Sequence, residues 1–163
     1  MTGIFYGSST GNTESLAKDI AAKLGVAATD VFDVAKVSAD KVCAYDRILL
    51  GSSTWGLGEL QDDWYGFITQ LKKENLTGKK VGLFGCGDSA SYPDTFCDAV
   101  GLIHEELEGS GCSFIGGVDA TGYAPADSKA FDGDKVLGLL ADDDEPGKTD
   151  ARLDAWIEAV KNA

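Results

Sequence analysis

The amino-acid sequence predicts an α/β fold: a doubly wound, three-layer sandwich in which a five-stranded parallel sheet lies between two layers of helices. Short apolar segments alternate with helical segments along the whole chain, which is the pattern of a parallel sheet covered by helices on both faces. The run Ile48, Leu49 and Leu50 is of the continuous apolar kind found in strands that are buried on both faces. Five strands fit the order 2-1-3-4-5, and 163 residues fit one domain over 1–163.

The predicted elements follow one another from the first residues to the last. Apolar runs predict strands over residues 3–6, 31–34, 47–52 and 81–85, and a fifth strand over 113–117. Apolar residues at helical spacing predict helices through residues 14–24, 64–71, 96–107 and 149–160, with a short helical turn over 38–42. We expect Gly25 to end the first helix, Asp94 to cap the third and Thr149 to cap the last.

One segment does not fit the alternation. Residues 119–135 form a long polar stretch rich in Ala, Asp and Gly, and a second apolar run follows over 136–140. A loop of this length inside a compact domain is either functional or an insertion. We therefore expect an insertion that splits the fifth strand.

The charge of the chain limits its partners. A formal charge of −13 argues against nucleic-acid binding, which needs basic contacts to phosphates. No Lys or Arg occurs between Arg47 and Lys72 or between Lys80 and Lys129, although both stretches carry several carboxylates. No apolar run approaches the roughly 20 residues of a membrane span, and the first residues lack the basic region of a signal peptide. We expect a cytoplasmic protein that does not bind membranes.

Cysteine and histidine offer little catalytic chemistry. The four cysteines have no C-x-x-C pair and no metal-ligand spacing, so we expect separate thiols and no metal. His104 is the only histidine, and it lies beside Glu105 in a predicted helix. A hydrolase that depends on Ser-His or Cys-His chemistry is therefore disfavoured, and we expect no catalytic residues.

The first of three unusual loops lies between the first strand and the first helix, at residues 7–13. It supplies four hydroxyls, the Asn12 amide and the free N–H groups of a helix N-terminus, without the Lys of a Walker A motif. These groups can bind a phosphate through dipoles alone. The alternative is a Ser/Thr-rich turn that only caps the helix.

Two further loops each carry an aromatic residue. In a doubly wound sheet the ligand binds beyond the carboxyl ends of the strands, where the loops after strands one, three and four are neighbours. The loop after strand three carries Trp55 in a Gly-rich turn, and the loop after strand four carries Tyr92. Either aromatic alone is as compatible with packing or surface exposure as with binding. Together with the first loop, they predict a slot for a flat ring that bears a phosphorylated tail.

These loops resemble those of the flavodoxins, and the resemblance covers essentially the full chain. Residues 8–13 match the FMN-phosphate signature of that family, residues 54–61 are similar to its tryptophan loop, and residues 87–88 with 92–94 are similar to its tyrosine loop. The insertion near 119–140 and residues 147–150 resemble the long-chain members. The resemblance therefore implies a flavodoxin-like fold of the long-chain type.

The resemblance also implies that FMN is bound non-covalently between Trp55 and Tyr92. The backbone of Gly56 and Leu57 would face the flavin N5, and Asp144 would reach the ribityl hydroxyls. The implied cofactor-binding residues are Ser8, Ser9, Thr10, Gly11, Asn12, Thr13, Thr54, Trp55, Gly56, Leu57, Gly58, Cys86, Gly87, Asp88, Tyr92, Cys97 and Asp144.

The function implied by the resemblance is that of a low-potential one-electron carrier, not an enzyme. It would work as a monomer that passes electrons between redox enzymes. Its carboxylates would steer it toward redox partner proteins with basic docking surfaces, such as a ferredoxin/flavodoxin-NADP reductase or low-potential oxidoreductases. One alternative is a flavodoxin-fold NAD(P)H-dependent quinone-type reductase, which needs an open flavin face. Another is a receiver-type signalling domain. It needs an acidic cluster at the end of strand three, where this sequence has Ser52, Ser53 and Thr54.

Overall fold

The computed structural model describes residues 1–55, 58–120, 123 and 128–163, apart from the side chains of Trp55 and Pro93. Its strands are β1 (Thr2–Gly7), β2 (Val31–Asp33), β3 (Arg47–Trp55), β4 (Glu59–Leu60), β5 (Lys80–Gly87), β6 (Ser113–Ile115), β7 (Val118–Asp119), β8 (Phe131–Asp132), β9 (Lys135–Val136) and β10 (Leu139–Asp142). Its α-helices are α1 (Asn12–Leu24), α2 (Asp62–Leu71), α3 (Asp98–Leu107) and α4 (Thr149–Lys161).

The main sheet has the predicted order. Its path is β10-β5-β3-β1-β2, and every neighbouring pair along that path is parallel. With β5 as the fourth strand and β10 in the fifth position, this is the doubly wound order 2-1-3-4-5. The fold class is confirmed.

The fifth strand is split, as the sequence predicts. β6 pairs with the first half of β5, from Lys80 to Gly82, and β10 pairs with the second half, from Phe84 to Gly87. Both pieces run parallel to β5, so together they occupy one edge of the sheet. The chain between them contains β7, β9 and β8, which pair in that order as a small antiparallel sheet. These strands have two residues each, which is too short for an alternating pattern in the sequence.

Two apolar layers cover the two faces of the main sheet. Consecutive strand residues point to opposite faces, so Phe5 and Leu50 join the layer of α2 and α3, whereas Ile4 and Leu49 join the layer of α1 and α4. The helices contribute their predicted apolar faces. The largest fully buried helical side chains are Trp64 in α2 and Trp156 in α4. This packing holds the carboxyl ends of β1, β3 and β5 next to one another.

Two helix caps differ from the sequence prediction. α3 begins at Asp98, and Asp94, the predicted cap, lies in a preceding 3-10 turn. Cys97 stands before α3 in the left-handed conformation, with φ 54°, and the cap is supplied from β3, where Thr54 Oγ1 accepts a hydrogen bond from the Ala99 amide. Thr149 is the first residue of α4 and follows Lys148. A cap donated by a distant strand leaves no local signal in the sequence.

Among the described residues, none of the helices combines the length and the apolar character that a membrane crossing requires.

Candidate functional site

The candidate site lies where the loops after β1, β3 and β5 meet. A cavity of about 340 Å³ opens there, which is within the usual size range of small-molecule sites. The predicted residues Thr10, Asn12, Thr54, Cys86, Gly87, Asp88 and Tyr92 line it, together with Ser53 and Asp143. The described residues that line it include no Lys or Arg. The structure therefore brings the three predicted loops together around one cation-free cavity.

The loop after β1 presents an uncapped helix end to this cavity. Gly11 precedes α1 with φ 93°, and among the described residues no side chain caps the helix. The Gly11 amide donates to Ser8 Oγ at 3.0 Å, which folds the loop back on itself. Because the first N–H groups of a helix have no intrahelical acceptor, the first turn of α1 is open to an anion. The alternative of a turn whose side chains only cap the helix does not describe this loop.

A buried hydroxyl and a buried thiol lie behind the loop. Thr13 is fully buried, and its Oγ1 has no hydrogen-bond partner among the described residues. Burial raises the pKa of the neighbouring Cys86 thiol to about 11, against an opposing effect of the Thr13 hydroxyl. The thiol therefore remains protonated at neutral pH, and it lines the cavity as a small neutral group.

Gln61 joins the first loop to the second. Its side chain is buried, and its Nε2 donates to Ser9 Oγ at 3.1 Å. Its backbone amide donates to Ser52 Oγ at 3.2 Å, and its Oε1 accepts from the Asp63 amide at the start of α2. Sequence reasoning places Gln61 at the end of the tryptophan loop but assigns it no role. The link is between residues 52 positions apart, which local sequence patterns do not reveal.

The strands on either side of the loop after β3 pair with each other. Trp55 pairs with Glu59 and Thr54 pairs with Leu60, so β3 and β4 run antiparallel around the turn. Gly58 has φ 102°, a conformation that favours glycine. The contacts predicted for the Trp55 side chain, for Gly56 and for Leu57 lie outside the described part of the chain and stay predictions.

The loop after β5 places Tyr92 at the edge of the cavity. Asp88 Oδ1 accepts hydrogen bonds from the amides of Ala90 and Ser91, and these bonds, above all those from Ser91, lower the pKa of the Asp88 carboxyl. The Asp88 carbonyl accepts from the Tyr92 amide at 3.0 Å. Tyr92 is 47% exposed although it lines the cavity.

Asp142, a residue that sequence reasoning does not single out, anchors this third loop. It is 3% exposed at the end of β10. Its Oδ1 accepts from the amides of Ser89 at 3.1 Å and Asp144 at 3.0 Å, and its Oδ2 accepts from the Ser89 hydroxyl. One buried carboxylate thus fixes the tyrosine loop against the sheet. A sequence of four consecutive acidic residues conceals which of them is buried.

Seven described residues of the predicted set lie outside the cavity lining: Ser8, Ser9, Gly11, Thr13, Gly58, Cys97 and Asp144. The Asp144 side chain is exposed, and the neighbouring Asp143 lines the cavity instead. Cys97 is fully buried behind Gly87, where a Cβ added to the glycine would lie 2.9 Å from the Cys97 amide nitrogen. Cys97 therefore supports the cavity wall. The predicted contacts of Asp144 and Cys97 with a ligand stay predictions.

The cavity has a negative electrostatic environment. Burial raises the pKa of Asp143, and the Coulomb effects of Asp88 and Asp142 raise it further. Two carboxyl groups therefore line the cavity with the buried Asp142 carboxyl near them, and added negative charge is disfavoured there. The described residues contain no group of three His, Cys, Asp or Glu that could hold a metal ion.

Comparison with known proteins gives one consistent answer. The family model described as Flavodoxin matches residues 4–156. The chain is 43% identical to Flavodoxin 1 of Escherichia coli strain K12 over 162 residues, covering 98% of this chain and 92% of that protein. It is 38% identical to a flavodoxin of Synechocystis sp. over 161 residues, covering 98% and 95%. The chain belongs to the flavodoxin family.

The solved structures agree. The crystal structure of Fusobacterium nucleatum flavodoxin bound to flavin mononucleotide matches with a TM-score of 0.89 at 25% identity, covering 99% of this chain and 96% of that chain. The crystal structure of oxidised Flavodoxin 1 from Bacillus cereus matches with a TM-score of 0.72 at 29% identity, covering 99% and 98%.

Proposed function

We propose that the protein is an electron carrier that binds FMN non-covalently and passes one electron at a time between redox proteins. The observation that carries this proposal is the cation-free cavity that joins the uncapped N-terminus of α1 to the tyrosine loop. Its relatives are flavodoxins, and one similar structure contains flavin mononucleotide. Nothing in the site favours an enzyme that oxidises NAD(P)H.

The phosphate of FMN fits the loop after β1. The N–H groups of the first turn of α1 would donate to the phosphate oxygens, with the hydroxyls of Ser9 and Thr10, both exposed, beside them. The Thr13 hydroxyl, which is buried beside the Cys86 thiol, is a further candidate donor. Because none of the described residues that line the cavity is a Lys or Arg, the phosphate charge would remain uncompensated.

The flavin ring would lie between the second and third loops. Tyr92 would cover one side of it, and Trp55 would cover the other, as the family resemblance implies. The bound FMN supplies one-electron chemistry at its ring. The protein's own residues would exclude water from that ring and would surround it with carboxylates, chiefly Asp88 and Asp143, so that an added electron would be disfavoured and the potential would be low.

The size of this effect follows from Coulomb's law. A carboxylate about 10 Å from the added charge, at an effective dielectric of about 40, costs roughly 0.8 kcal/mol. For a one-electron couple, in which 59 mV corresponds to a factor of ten, this is about 35 mV per carboxylate. Several carboxylates together would lower the potential by on the order of 100 mV before screening by salt.

The same face would dock redox partners that carry basic surfaces, such as a ferredoxin/flavodoxin-NADP reductase or low-potential oxidoreductases. Asp62, Asp63 and Asp94 are exposed around the cavity loops, so they would steer such partners. Asp142 is buried and would not take part. We propose that the protein works as a monomer in the cytoplasm. Electron-transfer rates with a basic partner should fall as salt rises, and a flat salt dependence would instead indicate apolar docking.

Titration of the apoprotein with flavins tests the proposed function. FMN should quench the fluorescence of the apoprotein on binding. Riboflavin should bind roughly 100-fold more weakly, because it lacks the phosphate and therefore makes no charged hydrogen bonds to α1. Tyr92→Ala should weaken FMN binding by about threefold to tenfold through the lost ring contact.

Tyr65 provides the matched control, since it is 48% exposed on α2 and does not line the cavity. Tyr65→Ala should leave the FMN Kd unchanged. Equal binding of riboflavin and FMN, or equal effects of the two tyrosine variants, would contradict the proposed site.

A further inference from the structure

Asp98, the first residue of α3, is a buried carboxylate that does not line the cavity. It is 6% exposed, and burial raises the pKa of its carboxyl group, against the opposing effect of a hydrogen bond from the Lys129 amide. A charged group is buried at a free-energy cost unless its partners compensate it. The contacts of Asp98 therefore indicate what the carboxylate does.

One oxygen of Asp98 holds the insertion. Oδ1 accepts a hydrogen bond from the Lys129 backbone amide at 2.7 Å. Three residues further along α3, Gly101 packs against the same segment, where an added Cβ would lie 2.2 Å from the Lys129 carbonyl oxygen. The residues on either side of Lys129, Ser128 and Ala130, are buried. Residues 128–130 of the insertion are thus seated directly on the first turns of α3.

The other oxygen lies against the loop after β3. A Cβ added to Gly58 would lie 2.5 Å from Asp98 Oδ2, so the glycine backbone packs directly on the carboxylate. Thr54 holds the same turn of α3 from the other side of that loop, since its hydroxyl accepts from the Ala99 amide at 3.0 Å. Gly58 and Thr54 flank the turn that carries Trp55.

We propose that Asp98 is a positioning residue that couples the insertion to the flavin site. Its carboxylate braces Lys129 on one side and Gly58 on the other, so that the seated insertion fixes the second loop in the conformation that binds FMN. This inference rests on the proposed function. It gives the insertion a role at the site, although neither Lys129 nor Asp98 lines the cavity.

Hydrogen exchange of the wild-type protein gives a test that needs no variant. Coupling between two sites is reciprocal, so FMN binding should increase the protection of the Lys129 amide at least threefold, even though Lys129 does not line the cavity. Unchanged protection at Lys129 on FMN saturation would overturn the inference. A wild-type protein that binds no FMN would instead refute the proposed function.

Three variants test the brace directly. Asp98→Ala removes both contacts and should raise the FMN Kd about tenfold, which is about 1.4 kcal/mol. Asp98→Asn keeps the shape and one acceptor oxygen and should stay within about threefold of wild type. Gly101→Ala forces Lys129 away from α3 and should weaken FMN binding about as much as Asp98→Ala. Asp98→Ala and Gly101→Ala disrupt the same link. The FMN Kd of the double variant should therefore be at most about threefold higher than that of either single variant.

Asp30→Ala is the matched control. Asp30 accepts a hydrogen bond from the Tyr45 hydroxyl at 2.7 Å, away from the cavity. Its loss should lower stability without changing the FMN Kd. The inference would be overturned if the increases in FMN Kd caused by Asp98→Ala and Gly101→Ala multiplied in the double variant. It would also be overturned if Asp98→Asn lost FMN binding. If Asp98→Ala does not fold, Asp98→Asn, Gly101→Ala and the exchange measurement still decide it.

Discussion

Replacement of Asp142 by Ala is the perturbation whose outcome follows most directly from the structure. The carboxylate accepts from the Ser89 amide at 3.1 Å, from the Asp144 amide at 3.0 Å and from the Ser89 hydroxyl. A hydrogen bond to a charged group contributes about 1.5–3 kcal/mol. Ser89 is half-buried, so water would replace part of what is lost. We expect the free energy of unfolding to fall by about 2–4 kcal/mol.

The same change should loosen the tyrosine loop and weaken FMN binding about tenfold, since Ser89 lies between Asp88 and Tyr92 in that loop. Urea denaturation of the apoprotein measures the stability, and fluorescence titration measures the Kd. Asp144→Ala is the matched control for stability. It removes the same charge two residues further along the chain, from an exposed side chain that does not hold the tyrosine loop. It should change the free energy of unfolding by less than about 0.5 kcal/mol. Equal stability of the two variants would refute the assigned role of Asp142.

Three further predictions concern other parts of the site. Gly11→Ala should cost about 1–2 kcal/mol of stability because φ is 93° there, whereas Gly147→Ala, in open space without positive φ, should cost less than about 0.5 kcal/mol in the same urea experiment. Asp143→Asn should stabilise the protein more at pH 7 than at pH 4. The raised pKa of Asp143 means that the native state binds this proton at a higher pH than the unfolded chain. The stabilisation from the protonated Asp143 is therefore complete below about pH 4 and is lost as pH rises through the native pKa. An equal gain in stability from Asp143→Asn at both pH values would contradict this. In native protein treated with iodoacetamide at pH 8, mass spectrometry should find exposed Cys43 alkylated long before Cys86, which is buried with a pKa of about 11; prompt alkylation of Cys86 would contradict its burial.

Much of the fold could be predicted because its signals are local. Apolar runs such as residues 47–52 predict buried strands, and helical spacing such as that of Trp64, Phe67 and Ile68 predicts the helix face that packs on the sheet. The split fifth strand was predictable as well, because a polar stretch separates two apolar runs that each suit the same edge.

The supports of the site could not be predicted, because they depend on residues far apart in the sequence. Gln61 reaches Ser9, and Thr54 caps α3 from the end of β3. Asp142 is the buried member of an acidic run whose other members look alike in the sequence. The sequence identified residues that line the cavity, such as Tyr92, whereas the residues that hold its loops in place emerge only from the packed structure.

Potentiometric titration of the FMN-loaded protein tests the central claim most directly. We expect two separate one-electron steps, with the second at a more negative potential than that of free FMN. Asp88→Asn and Asp143→Asn should each raise that second potential by about 35 mV at low salt. A single two-electron step at the potential of free FMN, unmoved by either variant, would contradict an electron carrier tuned by a cation-free, carboxylate-lined site.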